Sequence, residues 1–279
     1  MSTKALRHPA AALVLVSLLW SVTLPAQQYW PDRPEGTVVR ADFLKPFFKG
    51  DAAPQFLSGV VFISAGTPAG KLLRIEADVP MVRAGFTIGE IKESSLRIGN
   101  PYLGARFHRA DRPVSAYLGV RLPLASEPET SAGGLAYEVG TLTDPDQFEA
   151  FLPNVFTARA GAEVRSLSPS GLLIAAKLGP SVLVPSKGTS GDDPELFADY
   201  GVQVGYEGSA IRATIGVTGR LLATESDLTL AERTFHMATG TLELRRGRIR
   251  PSLLFRMPLD QSMRESIRAT VGLGLAIVL

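Results

Sequence analysis

Cysteine is absent from this 279-residue sequence. That removes a disulfide framework, a thiolate metal site and a cysteine nucleophile together. Histidine is nearly as scarce, at three residues, so imidazole chemistry has few places to sit. Charged residues make up only 20%, with 29 basic against 27 acidic, which excludes a basic nucleic-acid-binding domain. No long hydrophobic run follows the N-terminus, so spanning helices are not expected either. What remains is 45% hydrophobic and carries 27 Gly and 20 Pro, too apolar for a disordered chain. A neutral, Gly-rich, moderately apolar chain fits a sheet whose two faces meet different surroundings.

Lys4 and Arg7 precede a short apolar run over 11–22, and Ala26 then offers a small residue for cleavage. This is the layout of a secretory signal peptide. A transmembrane anchor would need roughly 20 apolar residues. The sequence therefore predicts a signal segment over 1–26, a short periplasmic segment over 27–36 and a single β domain over 37–279. No lipobox cysteine follows the run, which excludes a lipoprotein.

From Thr37 onward the hydrophobic period is two. Ile211, Ala213, Ile215, Val217 and Leu221 share one face, and Arg212, Thr214, Gly216, Thr218 and Arg220 the other, because successive strand side chains point opposite ways. Val271, Leu273, Leu275 and Ile277 alternate in the same way with Gly272, Gly274 and Ala276. About twelve such segments can be placed, with ten or fourteen as the alternatives that boundary error leaves. They begin near Thr37, Phe56, Lys71, Leu96, Val114, Val155, Gly171, Phe197, Ala210, Thr234, Ile249 and Glu265. The stretch 56–65 reads in either register.

The connections alternate in length. Short links rich in Gly, Pro, Ser or Asp, as tight hairpins require, fall at 67–71, 109–113, 168–171, 207–210 and 245–248. Longer polar links fall between them, at 48–55, 82–95, 125–154, 185–196, 223–233 and 259–264. A meander with every second loop on one side produces this alternation, as in barrels with short periplasmic turns and long external loops.

The polar face carries Arg40, Arg74, Arg106, Arg121, Arg159, Arg212, Arg220, Arg250, Arg256 and Arg268, with Asp42, Glu76, Asp78, Glu163, Asp199, Glu207 and Glu243 interspersed. Small residues between these charges leave room for long side chains to cross a lumen. Aromatics of the apolar face stand near strand ends, with Phe156, Tyr200 and Phe235 at the long-loop end and Phe107 and Tyr206 at the other, the arrangement of interfacial girdles. The last segment, AIVL, can pair with the first strand and close the sheet.

Over the whole of 37–279 this pattern resembles bacterial outer-membrane β-barrels. The segments LRIGNPYLGARF and VSAYLGVRLPLA resemble, more narrowly, transporter-like outer-membrane barrels that include those linked to meta-pathway phenol degradation. Such barrels usually end in an aromatic residue read by the insertion machinery. Leu279 keeps the apolar register without the ring. The resemblance implies contact with outer-membrane lipid, insertion through the C-terminal strand, and no nucleic-acid partner.

Catalytic chemistry is not evident. Once the leader is removed only His108 and His236 remain, with Ala110 and Ala238 where a neighbouring serine would be wanted. A hydrolase needs a nucleophile beside its base. The acids of 125–154 (Glu127, Glu129, Glu138, Asp144, Asp146, Glu149) suggest a solvated external loop, with one helical turn beginning at Asp144 or Asp146, at the barrel mouth or folded into it. Calcium is a lesser reading of these carboxylates, and their spacing matches no dedicated loop. No cofactor and no metal site is expected.

The expectation is thus a closed antiparallel up-and-down transmembrane β-barrel, all β, of about twelve strands. Its role would be passive passage of small polar or weakly hydrophobic solutes, with Arg74, Glu76, Arg121, Arg159, Lys177, Arg212, Arg220 and Arg256 lining the lumen and setting selectivity. The main alternative is a structural or adhesive barrel whose lumen is filled by paired charges. An outer-membrane hydrolase and a soluble β-sandwich are the remaining rivals.

Overall fold

The computed structural model describes residues 36–49, 58–88, 91–109, 112–186, 193–225 and 227–279. The expected leader, 1–26, and the segment to residue 35 lie outside the described residues. Thirteen strand segments form a single antiparallel sheet: β1 (Val38–Phe48), β2 (Gly59–Pro68), β3 (Leu73–Ile88), β4 (Ile91–Ile98), β5 (Tyr102–His108), β6 (Val114–Arg121), β7 (Val155–Leu167), β8 (Leu172–Pro185), β9 (Glu195–Glu207), β10 (Ile211–Leu222), β11 (Thr234–Leu244), β12 (Ile249–Pro258) and β13 (Ile267–Val278). β1 pairs with β13, Asp42 lying opposite Gly274, so the sheet closes on itself. β4 and β5 lie end to end along β3, opposite its upper and lower parts. They are one wall position interrupted at 99–101, and the barrel has twelve positions.

The faces divide as the alternation requires. Ile215 is 68% exposed and Leu273 60%, whereas Arg121 and Arg220 are at most 1% exposed. Two stacked sheets would seal the aliphatic residues and expose the arginines, so a sandwich is ruled out. Of the ambiguous stretch 56–65, residues 56 and 57 lie outside the described residues, and the rest resolves with Val60, Phe62 and Ser64 inward and buried.

Glycine on the wall makes room for tyrosine. Tyr102 lies across Gly104 and Gly119, where an added Cβ would come within 2.2 Å of the phenol oxygen, and Tyr117 lies across Gly161 at 2.5 Å. These flat inward-facing rings consume lumen width.

Four expectations are corrected. The polar link expected at 82–95 is a β-hairpin: β3 runs on to Ile88 and pairs with β4, because backbone pairing satisfies these residues whatever their side chains. Arg268 faces outward, since a register shift opposite Phe47/Phe48 turns the buried Ile267 inward in its place. Phe235 pairs with the inward Arg220 and meets Phe148 edge-on inside the barrel, so it is no girdle residue. The acidic stretch 125–154 is a solvated loop only in part: Glu127, Glu129 and Glu138 are exposed, but Asp144, Asp146 and Glu149 are fully buried, and the helical turn expected from Asp144 or Asp146 is folded into the barrel. It enters the lumen as helix α1 (Ser131–Thr143) and a 3₁₀ segment (Pro145–Phe151). Two short helices, α2 (Leu230–Arg233) and α3 (Gln261–Ser266), precede β11 and β13 on the long-loop side.

Candidate functional site

The inserted segment is a plug. Thr130 caps α1, its Oγ1 accepting from Gly133 N at 3.1 Å. The helix itself, SAGGLAYEVGTLT, has three glycines and poor intrinsic propensity, so packing rather than local preference holds it helical. One reason for a glycine is direct: a Cβ on Gly140 would lie 2.4 Å from the Phe151 ring.

On the side of β1–β3 the plug is apolar. Ala125, Ala136, Tyr137, Val139, Ala150 and Phe151 form one buried cluster with Leu44, Val60, Phe62, Val82 and Ala84 of the wall. Phe62 and Phe151 meet edge to face, with centroids 5.9 Å apart.

On the opposite side the plug presents acids to arginines. The Glu149 carboxylate accepts from Arg220 Nη1 at 2.6 Å and lies 3.3 Å from Arg159 and 3.8 Å from Arg121. Burial raises its carboxyl, but those three guanidiniums outweigh it and hold the group at about 2. Asp144 pairs with Arg256. Asp146 accepts from Thr218 Oγ1 at 2.9 Å. Burial, joined by the neighbouring Asp144, pushes Asp146 up to about 6 against the pull of Arg256, Lys177 and Thr218. Arg121 donates to Gln147 Oε1 at 2.6 Å and to Asp78 Oδ1 at 2.8 Å. The Arg220 guanidinium stands 4.7 Å from the Phe148 ring centre and 4.9 Å from that of Phe197, a stacked cationic contact. Thr270 Oγ1 donates to Thr143 O at 3.0 Å. The side chains of Asp78, Arg121, Glu149 and Arg220 are fully buried, so the passage is closed at this level.

All eight residues expected to line the lumen face inward, but they form two groups. Arg121, Arg159, Arg220 and Arg256 grip the plug. Arg74, Glu76 and Arg212 lie in a separate layer towards the short turns, where Arg106 bridges Glu76 and Glu163 at 3.0 Å each, Arg212 meets Glu207 at 3.5 Å, and Arg74 donates to Gly36 O and Gly66 O at 2.9 Å. Lys177 is half-buried between the two levels.

Sequence reasoning missed Asn100, which is fully buried at the break between β4 and β5. Its Nδ2 donates to Glu149 O and Leu152 O at 3.0 and 2.7 Å, and its Oδ1 accepts from Ala125 N at 2.9 Å. One side chain ties both ends of the plug. The signal was the Gly-Asn-Pro in the middle of a strand. Of the two histidines, His236 faces outward between Tyr200 Oη (2.7 Å) and Asp260 Oδ1 (3.0 Å) near the long-loop rim.

No protein-family model matches the sequence, and a search of characterised proteins finds no significant relative. Solved structures do resemble it. An outer-membrane channel of Pseudomonas putida F1 superposes with a TM-score of 0.62 at 10% identity, over 89% of this chain and 97% of that one. The translocator domain of the autotransporter NalP of Neisseria meningitidis gives 0.52 at 10% identity, over 97% and 96%. The NanC porin gives 0.51 at 8% identity, over 87% and 100%. At these identities the likeness is one of fold: the chain has the fold of integral outer-membrane β-barrels, its apolar face turned to lipid.

Proposed function

We propose that the barrel is an outer-membrane passage protein for small polar, preferentially anionic solutes, closed in this conformation by the plug. The observation that carries the reading is the pairing of plug acids with wall arginines. Asp144 and Glu149 occupy the places that solute carboxylates would take before Arg256, Arg220, Arg159 and Arg121. A plug withdrawn towards the long loops leaves those four cations facing an open lumen, and a ring of like charge biases passage towards anions. Closure by ion pairs also suits reversibility. Buried pairs add little over a hydrophobic filling, so a barrel needing only stability has no call for them, whereas water and solute can replace such contacts when the plug moves. The fold it shares with an outer-membrane channel supports the reading without deciding it.

A tether tests it. The chain lacks cysteine, so Thr143→Cys with Thr270→Cys introduces a single pair where the two residues already meet. In proteoliposomes, the reduced form is expected to admit small organic acids and oxidation to stop them. Arg220→Glu should shift planar-bilayer selectivity towards cations. A folded, heat-modifiable barrel that is silent in both redox states would identify a filled structural barrel instead.

A further inference from the structure

Consecutive plug residues bring a ring and a carboxylate to one wall arginine. The Arg220 guanidinium stands over the Phe148 ring, 4.7 Å from its centre, and donates from Nη1 to Glu149 at 2.6 Å. Two wall rings meet Phe148 edge to face, Phe197 at 5.6 Å and Phe235 at 6.5 Å between centroids. These two rings flank Arg220. Phe235 on β11 is its cross-strand partner, and Phe197 on β9 pairs with Leu222, two residues along β10. Phe197 also stands 4.9 Å from the guanidinium.

The wall charges around Glu149 set the charge of whatever replaces it. Arg121 holds Asp78 at 2.8 Å, while Arg159 and Arg220 share Asp199 at 3.2 and 2.5 Å. With Glu149 withdrawn, three guanidiniums face two wall carboxylates, and a single further carboxylate restores the balance. A ring between Phe197 and Phe235 gains edge-to-face contacts and a stacked cation that a saturated group of equal size lacks.

We infer that the wall vacated by the plug is a seat for an aromatic monocarboxylate, its ring where Phe148 lies and its carboxylate where Glu149 lies. The inference rests on the passage reading above and narrows the solute from small anions to arylalkanoates. A carboxylate bonded directly to a ring lies near the ring plane, whereas the Arg220 guanidinium lies over the face of Phe148 and bonds Glu149 through Nη1. A short carbon arm lets one molecule make both contacts.

The test uses the Thr143→Cys, Thr270→Cys barrel in its reduced form, in proteoliposomes, with phenylacetate and cyclohexylacetate as probes. The two acids match in charge and nearly in size. Phenylacetate entry is expected to half-saturate at an about tenfold lower concentration, the effect of two aromatic contacts. Phe197→Leu should bring that ratio near one, and Phe235→Leu, the more distant ring, should lower it less; heat-modifiable migration shows that each variant is folded. Phe107→Leu, exposed on the outer wall, should keep the ratio. Equal half-saturation, or entry without saturation, overturns the aromatic seat and leaves anion passage standing. Entry of neither acid overturns passage, and the seat with it. A full ratio in both inner-wall variants, or its loss in Phe107→Leu, overturns the assignment as well.

Discussion

Along β1 to β3 the plug is held by contacts that exclude water, whereas along β6, β7, β10 and β12 it is held by contacts that water can replace. The first set, centred on Phe151, Phe62 and Val60, loses free energy whenever it parts, because apolar surface becomes wet. The second, centred on Glu149 and Asp144, exchanges one set of charged hydrogen bonds for another when it parts. On the proposed reading, in which the plug withdraws, this asymmetry assigns the hinge to the β1–β3 side and the latch to the arginine side.

The contrast can be broken or sharpened by substitution. The largest effect is expected from Phe151→Ala, which empties the hinge and should cost about 3–5 kcal/mol, read as a lower unfolding temperature in detergent. Glu149→Gln, which leaves three buried guanidiniums short of an anion, should cost about 3 kcal/mol and raise bilayer conductance. If Phe151→Ala raised conductance and Glu149→Gln left it unchanged, hinge and latch would have to be exchanged. Gly140→Ala forces a methyl into the Phe151 ring and should cost about 1–3 kcal/mol, with conductance near that of the parent. The smallest effect is on pH dependence. The docked Asp146 holds its proton up to about pH 6, above the value of a free carboxyl. Its contribution to docking is therefore complete below the free-carboxyl pKa and is lost as pH rises through 6. Conductance should rise between pH 5 and pH 7.5, and Asp146→Asn should flatten that rise.

The wall was legible because each residue's surroundings alternate strictly along it. Ile215 and Arg220 reveal their faces by parity alone, and the short turns mark one edge of the barrel. The plug was legible only in part: a helical turn from Asp144 or Asp146, at the mouth or folded into it, was expected, but the docking of Asp144 and Glu149 was not, because their partners, Arg121, Arg159, Arg220 and Arg256, lie on four strands distant in sequence, and parity says nothing about what fills a lumen. The excess of wall arginine over wall acid was the available clue, since buried guanidiniums require counter-charges from somewhere. The position of Arg268 was hidden for a smaller reason: a single inserted residue reverses parity locally, and nothing in the sequence marks that insertion. Phe235 was misplaced because an aromatic near a strand end serves a lipid interface and an inner stack equally well.

Asn100 gathers the peptide groups of 125, 149 and 152 at the gap between β4 and β5, so the plug begins and ends at nearly one point of the wall. A segment rooted in this way is a cassette. Its length and chemistry can be exchanged without disturbing any backbone pairing of the cylinder around it.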